Sequence, residues 1–189
     1  MTDHLEIKKS LLKIYPFSEG NLNLFLNKLV FRTLKKKDVF LRKNQICKEI
    51  AFVNSGSLRL YTEIEHREWT INFFTENCWV SDIESLLMQQ PSKNQIEALE
   101  NSNIALITLK DIHRLMDIHP GFRMLNALMA NFIISSTHIT AMIAKSPDER
   151  YKDLLSNHPD WVNRFPQMKI ASYLGITPET LSRVRARVI

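Results

Sequence analysis

The sequence is poor in cysteine and glycine and has no long apolar run, and each shortage removes a class of function. Its 2 cysteines, Cys47 and Cys78, stand far apart in a chain of 189 residues. Zinc and iron–sulfur sites use more thiolates than this, closely spaced, so no metal is expected. Such sparing use fits a reducing cytoplasm, where disulfides are rare. With 4 glycines in all, no Gly-rich phosphate loop is present. Neither is an HExxH pair or a nucleophile motif, so the chain does not read as an enzyme. His113 and Asp117 lie one helical turn apart, a spacing ordinary on a solvated helix surface. No apolar run reaches the roughly eighteen residues of a membrane-spanning helix. The opening MTDHLEIKKSLLKIY carries charges throughout and lacks a signal-peptide core.

What is present is an ordinary globular composition, 44% hydrophobic and 24% charged, with a formal charge of +5. That composition provides enough apolar surface for a core, and the charge leans weakly toward a polyanionic partner. The basic residues fall into groups. Arg32, Lys35, Lys36, Lys37, Arg42 and Lys43 read as a solvated strand-and-turn edge. Arg183, Arg185 and Arg187 lie in a motif of another kind.

Leu5, Ile7, Leu11, Leu12 and Ile14 recur at helical spacing, and Ser18 can open a second short helix bearing Leu22, Phe25, Leu26 and Leu29. From Val30 to Thr108 the character changes to short segments rich in β-branched and aromatic residues: VFRTL, AFVNSGSLRLYTEI, EWTINFFT and NIALITL. Many short strands separated by polar turns predict a jelly-roll β-barrel. Ser81 to Gln90 interrupts it as a brief helix, a feature that marks a candidate pocket. From Lys110 to Lys145 the pattern is helical, with a possible restart at Pro120-Gly121. Phe122, Leu125, Met129, Phe132, Ser136, Ile139 and Ile143 alternate spacings of three and four, a seam suited to a second subunit. Asp148-Glu149 opens another short helix, Asn157-His158-Pro159 breaks it, and Trp161 and Phe165 are expected in the core of the terminal module.

The last stretch, QMKIASYLGITPETLSRVRARVI, reads as two short helices around a sharp turn. Ile170, Ala171 and Leu174 give the first helix one apolar face. Gly175 suits the left-handed position that ends a helix. Thr177 can cap the second, Pro178 fits its first position, and Glu179 puts a negative charge in its first turn. Leu181, Val184 and Val188 form the inner face, while Ser182, Arg183, Arg185 and Arg187 spread over the rest. This is a helix-turn-helix, whose second helix enters the DNA major groove.

Short helices, a β-roll, a long helix and KIASYLGITPETLSRVRARV at the end together resemble the Crp/Fnr family of bacterial transcription regulators. KEIAFVNSGSLRLYTEIEHREWTINFFTEN resembles the family's stretch around a Gly-containing turn between roll strands. The resemblance implies a homodimer paired through the long helix, two recognition helices on a roughly palindromic double-stranded site, and RNA polymerase as a further candidate partner. In that family an acidic residue and an arginine four positions on read bases, and Glu179 and Arg183 match them. A carboxylate accepts from cytosine N4, and a guanidinium donates bidentately to guanine O6 and N7. Thr177, Thr180, Ser182, Arg185 and Arg187 are candidates for phosphate or neighbouring base contacts. Pro178 stands where better-known members have another arginine, and the chain stops before their β-hairpin wing.

The family's nucleotide cassette is Gly-Glu-Leu followed after a loop by Arg-Ser or Arg-Thr. Here Ser81, Asp82 and Ile83 fall at the first element, and Lys93 and Asn94 lie near the arginine's place. No arginine occurs between Val80 and Arg114. Lysine brings charge without the bidentate fork. No cofactor is expected, cyclic AMP is not the expected effector, and another effector or none remains open.

The expected architecture is α+β: a cyclic-nucleotide-binding-like jelly roll over residues 1–109, a dimerisation helix over 110–146 and an all-α helix-turn-helix module over 147–189. The alternative to a cytoplasmic DNA-binding regulator is a small-molecule- or protein-binding roll whose terminal helices do not bind DNA.

Overall fold

The structure is a computed structural model and describes residues 3–127 and 144–188. It contains two compact units, Met1–Leu60 with Phe73–Ile133 and Tyr61–Asn72 with Ile134–Ile189.

The first unit opens with α1 (Asp3–Leu12) and α2 (Glu19–Leu26). Ser18 caps α2 as expected, its hydroxyl accepting from the Asn21 amide. The strands follow as β1 (Val30–Leu34), β2 (Val39–Leu41), β3 (Glu49–Ser55), β4 (Leu58–Ile64), β5 (Arg67–Phe74), β6 (Trp79–Val80), β7 (Asn94–Ala98) and β8 (Ser102–Thr108), with α3 (Ile83–Met88) between β6 and β7. They form two four-stranded sheets, ordered β1-β8-β3-β6 and β2-β7-β4-β5. This is the order of a jelly roll. Among the described residues the sheets are open rather than closed into one barrel.

Two turns show why the sequence folds this way. Gly56, between β3 and β4, has φ +90°, and a Cβ there would lie 2.3 Å from the Ser102 hydroxyl and 2.6 Å from the Asn101 carbonyl oxygen. Only glycine fits. Glu65 and His66, between β4 and β5, both have positive φ (50° and 61°), the requirement of a two-residue hairpin whose twist matches its strands. Strands β2, β6 and β7 lie outside the segments recognised from sequence. The first two span only 3 and 2 residues, too few for a period to register.

The core of this unit centres on β3 and β8, which pair antiparallel from Glu49↔Thr108 to Val53↔Ile104. Ile50, Ala51, Phe52 and Val53 are all buried, so both faces of β3 are covered. The Trp79 ring meets Phe52 at 4.9 Å and Phe25 at 6.1 Å. Its indole N–H donates to the Ser10 hydroxyl at 2.8 Å, satisfying the polar end of a buried ring. Arg59 on β4 is fully buried, its guanidinium 2.7 Å from the Glu97 carboxylate on β7.

After β8, Thr108 caps α4 (Leu109–Ile118), accepting from the Asp111 amide. The chain then breaks where a restart was foreseen. His119 is extended, and Pro120–Leu125 form a 3-10 helix. Proline lacks the N–H an α-helix needs and disfavours helical geometry in the residue before it.

The second unit contains α5 (Pro147–Asn157), α6 (Trp161–Arg164), α7 (Gln167–Tyr173) and α8 (Pro178–Val188), together with the outer part of the β4–β5 hairpin. Helix α5 starts one step earlier than Asp148-Glu149. Ser146 caps it in a capping box with Glu149, and Pro147 takes the first position. The two hydrogen bonds from Ser146 hold the Glu149 carboxyl below its ordinary pKa. Tyr151, Leu154, Trp161, Phe165, Ile170, Leu174, Leu181 and Val184 are buried. Trp161 organises them, with His158 stacked on it at 3.8 Å and Tyr173 edge-on at 5.6 Å.

Phe52, wholly inaccessible, tests the centre of the first unit. Phe52→Ala is expected to cost about 3–5 kcal/mol of stability, whereas Leu87→Ala, at an exposed position of α3, is expected to stay within about 0.5 kcal/mol. Denaturant unfolding of the two variants checks the contrast.

Candidate nucleic-acid interface and effector cassette

The turn between α7 and α8 is built from backbone hydrogen bonds. The Ile176 amide donates to the Ala171 carbonyl at 3.0 Å and the Gly175 amide to the Ser172 carbonyl at 3.2 Å. This pairing is a Schellman motif, and Gly175 takes the left-handed position it requires, at φ +66°. Thr177 then caps α8 as expected. Its hydroxyl accepts from the Thr180 amide at 3.2 Å and its carbonyl from the Leu181 amide at 2.9 Å. Leu181 and Val184 are buried, which sets the roll of α8 and turns Thr177, Glu179, Ser182 and Arg183 to solvent.

Glu179 and Arg183, four apart, therefore share one exposed face. The Arg183 guanidinium donates to the Thr180 hydroxyl at 3.3 Å, and the Thr180 and Thr177 hydroxyls are 3.2 Å apart. These short contacts restrict a long side chain that is otherwise free. Glu179 is held below the ordinary carboxylate pKa, first by its own backbone amide and the Thr177 hydroxyl, with the Arg183 charge adding to them. It is thus an acceptor only, as cytosine N4 requires. Arg187 is placed differently: it pairs with Asp148 at the start of α5 at 2.8 Å, linking the far end of α8 to α5. Arg185 is half-buried.

One contributor escaped the sequence reading. Arg150 donates through Nη1 to the Leu174 carbonyl at 2.9 Å and through Nε to the Lys145 carbonyl at 2.9 Å. It links the entry to α5 with the turn of the helix-turn-helix. No spacing rule points to it, because its partners are backbone carbonyls, one of them 24 residues further along the chain.

The cassette residues come together, but they satisfy one another. Asp82 caps α3, accepting from the Ser85 amide at 3.3 Å, the Ser92 hydroxyl at 2.5 Å and the Asn94 amide group at 3.1 Å. Ser81 donates to the Glu49 carbonyl at 3.1 Å and lies 3.3 Å from the Cys47 sulfur. The Cys47 amide in turn donates to the Ser85 hydroxyl at 2.9 Å. Asp82, Ser81, Ser85 and Ser92 are all buried. Ile83 is half-buried, and Lys93 is exposed and paired with Glu84 at 3.2 Å. Ser92, which the sequence places beside Lys93 and Asn94 without a role of its own, is the closest partner of Asp82 among the described residues. An open groove of about 500 Å³ runs beside the cluster along Phe40–Leu41 and Gln45–Glu49, where Lys48 and Glu49 supply one charge of each sign.

Of the expected subunit seam, Phe122 and Leu125 are buried inside the first unit, Phe122 stacking on Phe17 at 5.1 Å. Met129, Phe132, Ser136, Ile139 and Ile143 lie outside the described residues. His113 and Asp117 are both exposed on α4.

Residues 31–119 match the family of the cyclic nucleotide-binding domain, which sets the class of the roll. No curated protein matches the sequence. Among solved structures, FixK2 from Bradyrhizobium japonicum is similar at 17% identity and TM-score 0.72, over 85% of this chain and 84% of that one. The c-di-GMP responsive global regulator CLP of Xanthomonas campestris is similar at 15% identity and TM-score 0.69, over 90% and 91%. A protein of Eubacterium rectale assigned to the Crp/Fnr family of transcriptional regulators is similar at 20% identity and TM-score 0.67, over 93% and 87%. Over residues 31–119 the chain is thus similar to the cyclic nucleotide-binding domain, and its fold is that of these solved structures.

Burial pushes the Cys47 thiol above its ordinary pKa, against opposing hydrogen bonds from Ser81 and backbone amides, so its thiolate fraction at neutral pH is small. Cys78 is partly exposed. A thiol reagent at neutral pH is expected to modify Cys78 first and Cys47 only on unfolding. Mass spectrometry of the labelled peptides reads the order, and equal rates would contradict it.

Proposed function

We propose that the protein is a homodimeric, sequence-specific DNA-binding transcription regulator of the cytoplasm and not an enzyme. The observation that carries this reading is the helix-turn-helix, with Glu179 and Arg183 on the exposed face of a capped and tethered reading helix. The carboxylate accepts from a cytosine amino group and the guanidinium donates to a guanine edge. Thr177, Thr180, Ser182 and Arg185 flank them as phosphate or neighbouring base contacts, and Arg187 joins them only by leaving Asp148. Paired subunits present two such helices to a roughly palindromic site. The pairing seam is the sequence repeat from Met129 to Ile143, and the organisation into sensor roll, dimerisation helix and reading module belongs to the same proposal.

For the input end, the proposal is a roll that does not hold cyclic AMP as the nucleotide-binding family members do. Asp82, at the place of the ribose-binding glutamate, is buried and already accepts three hydrogen bonds. Near the place of the phosphate-binding arginine stands an exposed lysine, Lys93, paired with Glu84. A nucleotide would have to break this network without gaining a bidentate partner.

Selection of bound sequences from random duplex DNA tests the main reading. Recovery of no preferred sequence would support the alternative, a ligand- or protein-binding roll with non-reading helices. Within a recovered site, Arg183→Ala is expected to cost about 1–3 kcal/mol of affinity and to relax preference at one base pair per half-site. Gel-shift titration across base variants measures both effects. Cyclic AMP is expected to leave the melting temperature unchanged, since a ligand that binds only the native state must raise it. A saturable upward shift in calorimetry would overturn the reading of the cassette.

A further inference from the structure

In the second unit the outer part of the β4–β5 hairpin, Tyr61–Asn72, meets helix α7, the first helix of the helix-turn-helix. Among the described residues strand β5 is the last of its sheet, so one of its sides faces away from the other strands. Ser172 on α7 bonds to the β5 backbone. Its hydroxyl accepts from the Thr70 amide at 2.8 Å and donates to the Glu68 carbonyl at 2.7 Å. One hydroxyl thereby stands in for a neighbouring strand. Lys169, three residues earlier and on the same helix face, forms an ion pair with the Glu68 carboxylate, and its ammonium lies 6.0 Å from the Tyr61 ring centroid. Lys169 is partly exposed, at 27%, and Glu68 is exposed, at 42%.

We propose that Lys169 is a DNA-backbone contact and that the hairpin competes with DNA for it through Glu68. The proposal rests on the DNA-binding reading above and adds a residue and a control to it. The first helix of a helix-turn-helix crosses the DNA backbone, and a lysine there is placed to neutralise a phosphate. In the structure that ammonium faces a carboxylate instead, and the Ser172 hydroxyl holds the strand bearing the carboxylate in place. Opening the clasp frees one cation for DNA, while closing it withdraws that cation and restrains α7. A ligand or partner that moves the hairpin changes DNA affinity by this route without touching the reading helix.

The test compares Glu68→Gln with Glu65→Gln, a substitution of equal charge change at the exposed hairpin tip, on a duplex recovered from the random selection. Glu68→Gln is expected to tighten binding and to steepen the dependence of log affinity on log salt by about 0.9, one phosphate's worth. Its advantage over the wild type then shrinks about 3.5-fold between 50 and 200 mM salt. Ser172→Ala, which changes no charge, is expected to tighten binding in the same direction, and adding Lys169→Ala to Glu68→Gln is expected to cancel the gain. Hydrogen exchange of the full chain supplies a separate reading. The Thr70 amide is expected to be protected in the free protein and to lose protection when duplex is added. If Glu68→Gln matches Glu65→Gln, if the double variant keeps the gain, or if Thr70 is unprotected in the free protein, the competition is overturned while DNA binding stands. A wild type that retains no duplex overturns the DNA-binding reading, and the competition falls with it.

Discussion

The pairing of β3 with β8 is the constraint on which the roll depends. Its register, from Glu49↔Thr108 to Val53↔Ile104, places two strands buried on both faces at the centre of one sheet. Everything near the cassette hangs from its ends. At one end Thr108 leaves the strand and caps α4, while the Leu109 amide donates to the Lys48 carbonyl at 3.0 Å and extends the pairing by one step. Two residues before Glu49 stands Cys47, whose amide and sulfur join the Ser85 and Ser81 hydroxyls. A slip of one residue would turn Phe52 to the other face of the sheet and carry the cassette's partners away from α3. The strong β-formers of AFVNS and NIALITL thus set a polar site as well as a core.

The cassette and the reading helix handle buried and exposed polarity in opposite ways. Both carboxylate oxygens of Asp82 accept hydrogen bonds from the protein, which offsets the cost of burying the group. A site satisfied in this manner is a structural joint, holding α3 to the loop that carries Ser92. On α8 the apolar side is buried and Glu179 and Arg183 are left in water, restrained by local contacts to the Glu179 amide and the Thr177 and Thr180 hydroxyls. Groups that keep hydrogen-bonding capacity and lose little conformational freedom on binding are what base recognition needs. The physical contrast supports the proposal that recognition belongs to α8.

Much of that end was legible in the residues. Gly175, Thr177 and Pro178 are local devices whose conformations depend on bonds within a few residues, so the Schellman turn and the cap followed from sequence. The buried stripe of Ile170, Leu174, Leu181 and Val184 was equally readable, because helical period alone decides which side faces the core. The segments of β1, β3, β4, β5 and β8 could be recognised for the same reason, each being long enough to show its character. Strands β2 and β6 were too short to do so, and the pairing order of the sheets depends on contacts that no local pattern encodes.

What the tertiary structure alone decided is the assignment of partners. Nothing local distinguishes Arg187, tied to Asp148, from Arg183, left to solvent, since both are arginines on one helix. The heptad spacing that includes Phe122 and Leu125 looks the same whether they meet another subunit or their own core, and Phe17 decides for the core. Arg150, Ser92 and Ser172 take their roles from atoms far along the chain. The sequence by itself determined the elements, their caps and the chemistry available on each face, because these arise from neighbours three or four residues away. Which polar groups stay free to act was set by long-range packing, since a hydrogen bond or ion pair forms only where the fold brings its two halves together.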